Sequence, residues 1–300
     1  MNANLAITIA VDGVVYASWL FIVSLGLTLV FGVLKILNMA HGSVYAVGAY
    51  MAASVVGLMA SRGMPLPLSL LAMLFAAAGV AAILGPLLER GLLARFYGRD
   101  EVLLLLVTYA LFLMLEDGTK LVWGVNPYYV SEPYGLFGNV SIGTLSFVGY
   151  DFAMVGLAVL CGIGTWFGLN RTVAGKIVLA VIHNPEMSAS MGVNVNRVYS
   201  AAFSAGVFLA ALGGAFTAPM ISVQPGISVS VIIVSFAVVI IGGLGSIEGA
   251  AIGALIVGLA RAAAVHMMPE VELFSIYLVM TAVLVFRPEG IFQAVKARLI

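Results

Sequence analysis

Charge is what this sequence has least of: Asp, Glu, Lys and Arg make up 9% of its 300 residues, about a third of the usual share in a water-soluble domain. Thirteen basic side chains balance thirteen acidic ones, so no basic face exists to neutralise a phosphate backbone, which excludes nucleic acid as a partner. A single cysteine, Cys161, excludes an internal disulfide, and no Cys/His group has the spacing of a zinc or iron–sulfur site. His41, His183 and His266 are scattered and lie in no H-E-x-x-H context. No G-x-x-x-x-G-K-[ST] phosphate loop occurs either, because Gly175-Lys176 is followed by Ile177 and lacks the upstream glycine. Neither metal chemistry nor nucleotide hydrolysis is expected of this chain, and no cofactor is expected to bind it. No Lys or Arg precedes Lys35, so the basic n-region of a cleaved signal peptide is missing and the first apolar run is kept as a span.

What the chain has instead is apolar surface. Hydrophobic residues make up 63% of it, and the mean hydropathy is +1.16. This composition predicts an all-α integral membrane protein, a single transmembrane domain over residues 1–300. Apolar runs of spanning length fall at about 14–34, 40–60, 66–88, 102–122, 150–169, 198–220, 229–244, 247–265 and 270–286. The seventh is interrupted by Gly242, Gly243 and Gly245. It reads as a broken or re-entrant helix, which leaves eight or nine crossings.

Placing the N-terminus outside puts Lys35, Arg90, Arg95, Arg99, Arg171, Lys176, Arg197, Arg287, Lys296 and Arg298 on the inner side. Only Arg62, Lys120 and Arg261 then lie opposite, ten against three, as the positive-inside rule requires. Two longer connections remain: an outer one at about 124–149, expected to be irregular or partly helical, and a cytoplasmic one at about 170–197. Tyr128, Tyr129 and Tyr134 in the outer connection suit the interfacial aromatic belt.

In the cytoplasmic connection, Asn184-Pro185-Glu186-Met187-Ser188-Ala189-Ser190-Met191-Gly192 carries its own start and stop. Asn184 is an N-cap, Pro185 fits the first helical position, Glu186 complements the positive dipole end, and Gly192 supplies a left-handed C-cap. A helix of about two turns follows, too short to persist unless something holds it. Met187 and Met191, at i and i+4, offer an adaptable apolar contact either to the chain's own inner surface or to a soluble motor.

Asn38, His41 and Ser43 stand at the start of the second span, just after Lys35, and are expected near its cytoplasmic end. Asn38 can cap the helix, or the group can form a wall or gate of a solute path. Gly245, Gly249 and Gly253 recur every fourth residue, with Ala250, Ala254 and Gly258 beside them, as in a close helix-packing stripe. Ser246 can cap that helix and Glu248 complement its first turn, so its positive end either packs tightly or faces a cavity. Glu116, Asp117 and Lys120 can form a helical ion pair, and Arg261 and His266 can snorkel.

Leu37-Asn38-Met39-Ala40-His41-Gly42, the loop ending Gly192-Val193-Asn194-Val195, Gly242-Gly243-Leu244-Gly245-Ser246-Ile247, and Phe286-Arg287-Pro288-Glu289-Gly290-Ile291-Phe292 occur in order along nearly the whole chain. In this ordered set the chain resembles the permeases of branched-chain amino acid ATP-binding cassette importers, specifically the shorter H-type subunit of the Liv system. The resemblance implies an inner-membrane pore built with a second related permease or a second copy. It also implies two cytosolic ATPases holding ATP–Mg against the inner loops, and a periplasmic binding protein that delivers the solute. An ion- or proton-coupled secondary transporter is the alternative; it would need ionisable residues near the midplane and inverted repeats.

Overall fold

The computed structural model describes residues 3–292; Asn2, Lys296, Arg298 and Ile300 lie outside them. Eleven α-helices follow one another: α1 (Ala3–Leu34), α2 (His41–Ser61), α3 (Leu68–Gly91), α4 (Glu101–Trp123), α5 (Gly149–Arg171), α6 (Val173–His183), α7 (Pro185–Ser190), α8 (Val195–Thr217), α9 (Ile227–Gly242), α10 (Ile247–Met267) and α11 (Glu272–Phe286). Seven of the described helices are long and apolar enough to cross a membrane: α1 to α5, α8 and α10. α9 and α11 are apolar but shorter, with 16 and 15 residues.

Two expectations need correction. α1 begins at Ala3 rather than near residue 14, and its first turns project far enough for Asn4 Nδ2 to donate to Thr144 Oγ1 at 3.2 Å. The 124–149 connection is partly helical as expected, with one short helical turn at Glu132–Gly135, but it also holds strands: β1 (Asn139–Ile142) and β2 (Leu145–Val148) form an antiparallel hairpin that pairs Ile142 with Leu145. A two-residue turn, Gly143-Thr144, closes it, and Gly143 takes the left-handed φ of +63° that such turns demand.

α8 is the axle of the bundle, and its sequence explains why. Apolar helices gain nothing from hydrophobicity inside an apolar solvent; they associate where small residues let backbones approach. A Cβ on Gly26 of α1 would stand 2.7 Å from the Gly206 carbonyl oxygen of α8, and one on Gly206 would stand 2.8 Å from that of Gly26. On α8's other faces Gly214 lies against the Tyr45 backbone of α2, and Gly85 of α3 against Ser204. Tyr45 and Thr217 then join α2 to the far end of α8 by a buried 2.6 Å hydrogen bond.

The chain's reversals give the bundle a Lys35 end and a Lys120 end. At the Lys35 end, Leu29 and Val33 of α1 cluster with Val178 and Ile182 of α6 and Ala202 of α8. At the other end the α10–α11 corner is pinned to α1, so Arg261 and His266 do not simply snorkel. Arg261 pairs with Glu272 and stacks over Tyr16 at 4.1 Å, while His266 Nε2 lies 2.6 Å from Asp12 Oδ2.

Candidate translocation junction and coupling helix

The α7 helix is built as its sequence specifies. The Asn184 side chain accepts from the Met187 amide at 2.9 Å, and Pro185 opens the helix. Gly192 takes φ +87°, and the Gly192 and Val193 amides return to the Ala189 and Ser188 carbonyls. The cap turns the helix so that Ser188 is buried while Met187 and Met191 stand 65% and 81% exposed. Two large thioethers on one face of so short a helix are an adhesive surface that the described residues leave exposed.

The α9–α10 break is also as expected from its glycines. α9 ends at Gly242, and Gly243 and Gly245 turn the chain with φ of +106° and +85°. Ser246 then caps α10 by accepting from the Gly249 amide at 3.0 Å. Gly242 and Gly249 face each other so closely that a Cβ on either would run into the other's carbonyl, and a Cβ on Gly253 would meet the Val238 carbonyl oxygen at 2.5 Å. The segment after Pro288 closes this corner: the Ile291 and Phe292 amides donate to the Ile241 and Gly242 carbonyls at 2.9 Å each. Backbone packing fills the break at Gly242 and Gly249. A space of about 290 Å³ lies beside it, between Gly245–Glu248, the Lys35 end of α1 and residues of α5 and α6.

The Asn38 motif departs from expectation in position and in role. Residues 35–40 do not cap α2 from the Lys35 end; they turn back into the bundle as a non-helical segment in which Ile36, Asn38 and Ala40 are all buried. His41 Nε2 consequently meets the Val23 carbonyl oxygen at 2.9 Å, about 16 Å along α1 from Leu34. Ala40 holds the N-cap position without a side-chain hydrogen bond. Asn38 reaches the first turn only with its backbone, whose carbonyl accepts from the His41 amide at 3.3 Å; among the described residues both its side-chain amide atoms lack a partner, as does His41 Nδ1. Since a carbonyl only accepts, Nε2 carries the imidazole proton and Nδ1 presents a buried lone pair.

α4 holds this turn in place with one helical face. Thr108 Oγ1 donates to the Leu37 carbonyl at 3.1 Å, and Ser43 Oγ donates to the Phe112 carbonyl at 2.9 Å. One turn further on, Glu116 accepts from the Gly226 amide at 2.8 Å and from Ser228 Oγ. These residues sit at i, i+4 and i+8. The Lys120 ion pair goes to Asp117 at 2.9 Å instead. Reading the sequence missed Glu116 as the cap of α9, and missed a second buried carboxylate, Glu89, which accepts from Tyr97 Oη at 2.9 Å and from Ser200 Oγ. The available signal was an acid at the edge of each apolar run, Glu89 beside Arg90 and Glu116 beside Asp117.

The sequence profile of the family described as "Branched-chain amino acid transport system / permease component" matches residues 9–286. The chain belongs to this family. Among curated relatives, the permease is 27% identical over 292 residues to the high-affinity branched-chain amino acid transport system permease protein BraD of Pseudomonas aeruginosa, covering 94% of each chain. It is 25% identical to the corresponding LivH permease of Escherichia coli K12, covering 93% of each. A ribose import permease of Haemophilus influenzae is 28% identical over 79% of the permease and 71% of that relative. No solved structure matches the permease. Its relatives thus include permeases named for amino acid and for sugar import.

Proposed function

We propose that this permease is one membrane-spanning half of an ATP-binding cassette importer that carries branched-chain amino acids or related small solutes inward across the inner membrane. Its partner in the pore is a second related permease or a second copy. Two cytosolic ATP-binding subunits holding ATP–Mg drive it, and a periplasmic binding protein delivers the solute. The single observation behind this reading is the family match over residues 9–286, on a chain that also exposes a capped helix with two bare methionines.

On this reading the Lys35 end is cytoplasmic and the N-terminus lies outside, so the permease crosses eight or nine times, with α9 the partial crossing. Asn184, Pro185, Glu186, Met187, Met191 and Gly192 form the handle that an ATPase grips. Its displacement enters α8 directly through Asn194, which caps that helix by accepting from the Arg197 amide at 3.0 Å. Asn38, His41 and Ser43 form the wall or gate of the solute path. The Gly242–Gly253 stripe, with Gly243, Gly245 and Ser246, is the rigid corner against which the rest moves.

Reconstitution tests the proposal. Vesicles holding the permease with its pore partner and ATPases should take up leucine, isoleucine or valine only with ATP and loaded binding protein, and collapse of ion gradients should leave uptake intact. Met187→Lys with Met191→Lys should abolish ATPase association. Uptake by the permease alone, or uptake that collapses with the ion gradient, would refute it.

A further inference from the structure

The start of α9 is unusual in its chemistry. Its N-cap residue is Gly226, which has no side chain to cap with and sits at φ +95°. A helix of 16 residues therefore begins with no side-chain cap of its own, and the charge that meets its positive end comes from Glu116 of α4, 110 residues earlier in the chain. Glu116 is 7% exposed. Its two oxygens are divided between the Gly226 amide and the Ser228 hydroxyl, so the dipole and two donors replace the water that a carboxylate gives up on burial.

What this cap holds is the meeting point of two helix starts. A Cβ on Gly42, in the first turn of α2, would lie 2.5 Å from the Ser228 carbonyl oxygen and 2.7 Å from Ile232 Cβ. Just before α9, the 221–226 segment is also fastened where Tyr128 and Val223 exchange backbone hydrogen bonds of 2.9 and 3.0 Å. Ser222 Oγ is enclosed there without a partner.

We propose that Glu116 is a positioning residue of the transport path. As a carboxylate it seats the start of α9 and the 221–226 segment against the Asn38–Ser43 turn, and so keeps the Lys120 end of the path closed at rest. The assignment of that end to the outside rests on the importer reading; the seating itself does not.

Thiol access tests it. In the full importer on a Cys161→Ala background, Ser222→Cys reports the seat through labelling by a membrane-impermeant maleimide, applied to intact and to permeabilised cells. Glu116→Gln keeps the side chain's size, removes its charge and turns an amide toward donors. It should label Ser222→Cys roughly tenfold faster, the scale of one lost charge-assisted hydrogen bond, and should raise the ATP hydrolysed per solute imported. Asp117→Asn, one residue away in an exposed pair, should change neither. Should Glu116→Gln be absent from membranes, Ser228→Ala removes one donor without touching charge and should speed labelling roughly threefold. Unchanged labelling, or uptake and hydrolysis that fall in proportion, overturns the proposal, as does an equal effect of Asp117→Asn. A labelling change in a wild-type background that shows no ATP-dependent uptake would sink the importer reading and leave the seat standing.

Discussion

Gly249→Ala adds one methyl group at the point where α10 touches α9. That methyl would enter the Gly242 carbonyl, a backbone group on a helix also tied to Phe292, and cannot be relieved by a rotamer change. The helices must part by about 1 Å, losing dispersion along the Gly242–Gly253 seam. Overpacking of this kind costs about 2 kcal/mol. Gly156→Ala is the matched control, because Gly156 lies in the same kind of apolar helix with nothing within 4 Å of its would-be Cβ. There the methyl meets open space and the helix gains roughly 0.5–1 kcal/mol in propensity. The half-life of the detergent-solubilised permease at a fixed temperature reads both. It should shorten roughly 30-fold for Gly249→Ala, if the loss falls on the unfolding rate, and hold or lengthen for Gly156→Ala. Equal half-lives would refute the backbone-to-backbone seam. Gly249→Glu should fail to assemble.

Other consequences follow from single contacts. Asn184→Ala removes the side chain that caps α7, at about 1 kcal/mol. A six-residue helix has no reserve to absorb that loss, so uptake should drop while permease abundance in membranes holds, and Asn184→Asp should restore uptake. Thr217→Val leaves the buried Tyr45 hydroxyl unpaired and should cost about 1–3 kcal/mol, read in the same thermal assay. Replacing Gly192 by Ala strains a left-handed position by about 1 kcal/mol, and ATPase coupling should weaken without loss of assembly.

Local chemistry made much of this legible in the chain. Caps and stops are written in neighbouring residues, so Asn184, Gly192 and Ser246 could be placed from sequence with their functions in the backbone. The glycine repeat of α10 announced its seam for the same reason. The hairpin was also written locally, in the alternation Val140, Ile142, Leu145, Phe147 around Gly143-Thr144, but the apolar spans on both sides drew the reading toward irregular structure. Asn38 misled because an Asn just before an apolar run imitates a cap; the chain instead spends residues 35–40 climbing back into the bundle, and His41 lands deep. Glu116 reaching Gly226 was invisible because no spacing rule links residues 110 apart. Only the packed bundle brings that carboxylate to a helix that cannot cap itself.

The glycine and alanine surface of α8 has a mechanical corollary. Interlocked side chains resist sliding, because each knob must climb out of its hole, and the Val30 and Val23 side chains of α1 stand where a Cβ on Gly206 or Gly213 of α8 would lie. Neighbours on three sides block α8 from leaning. On the importer reading proposed above, a push delivered through Asn194 would therefore carry α8 and α1 together as one keyed unit toward the Tyr45–Thr217 link.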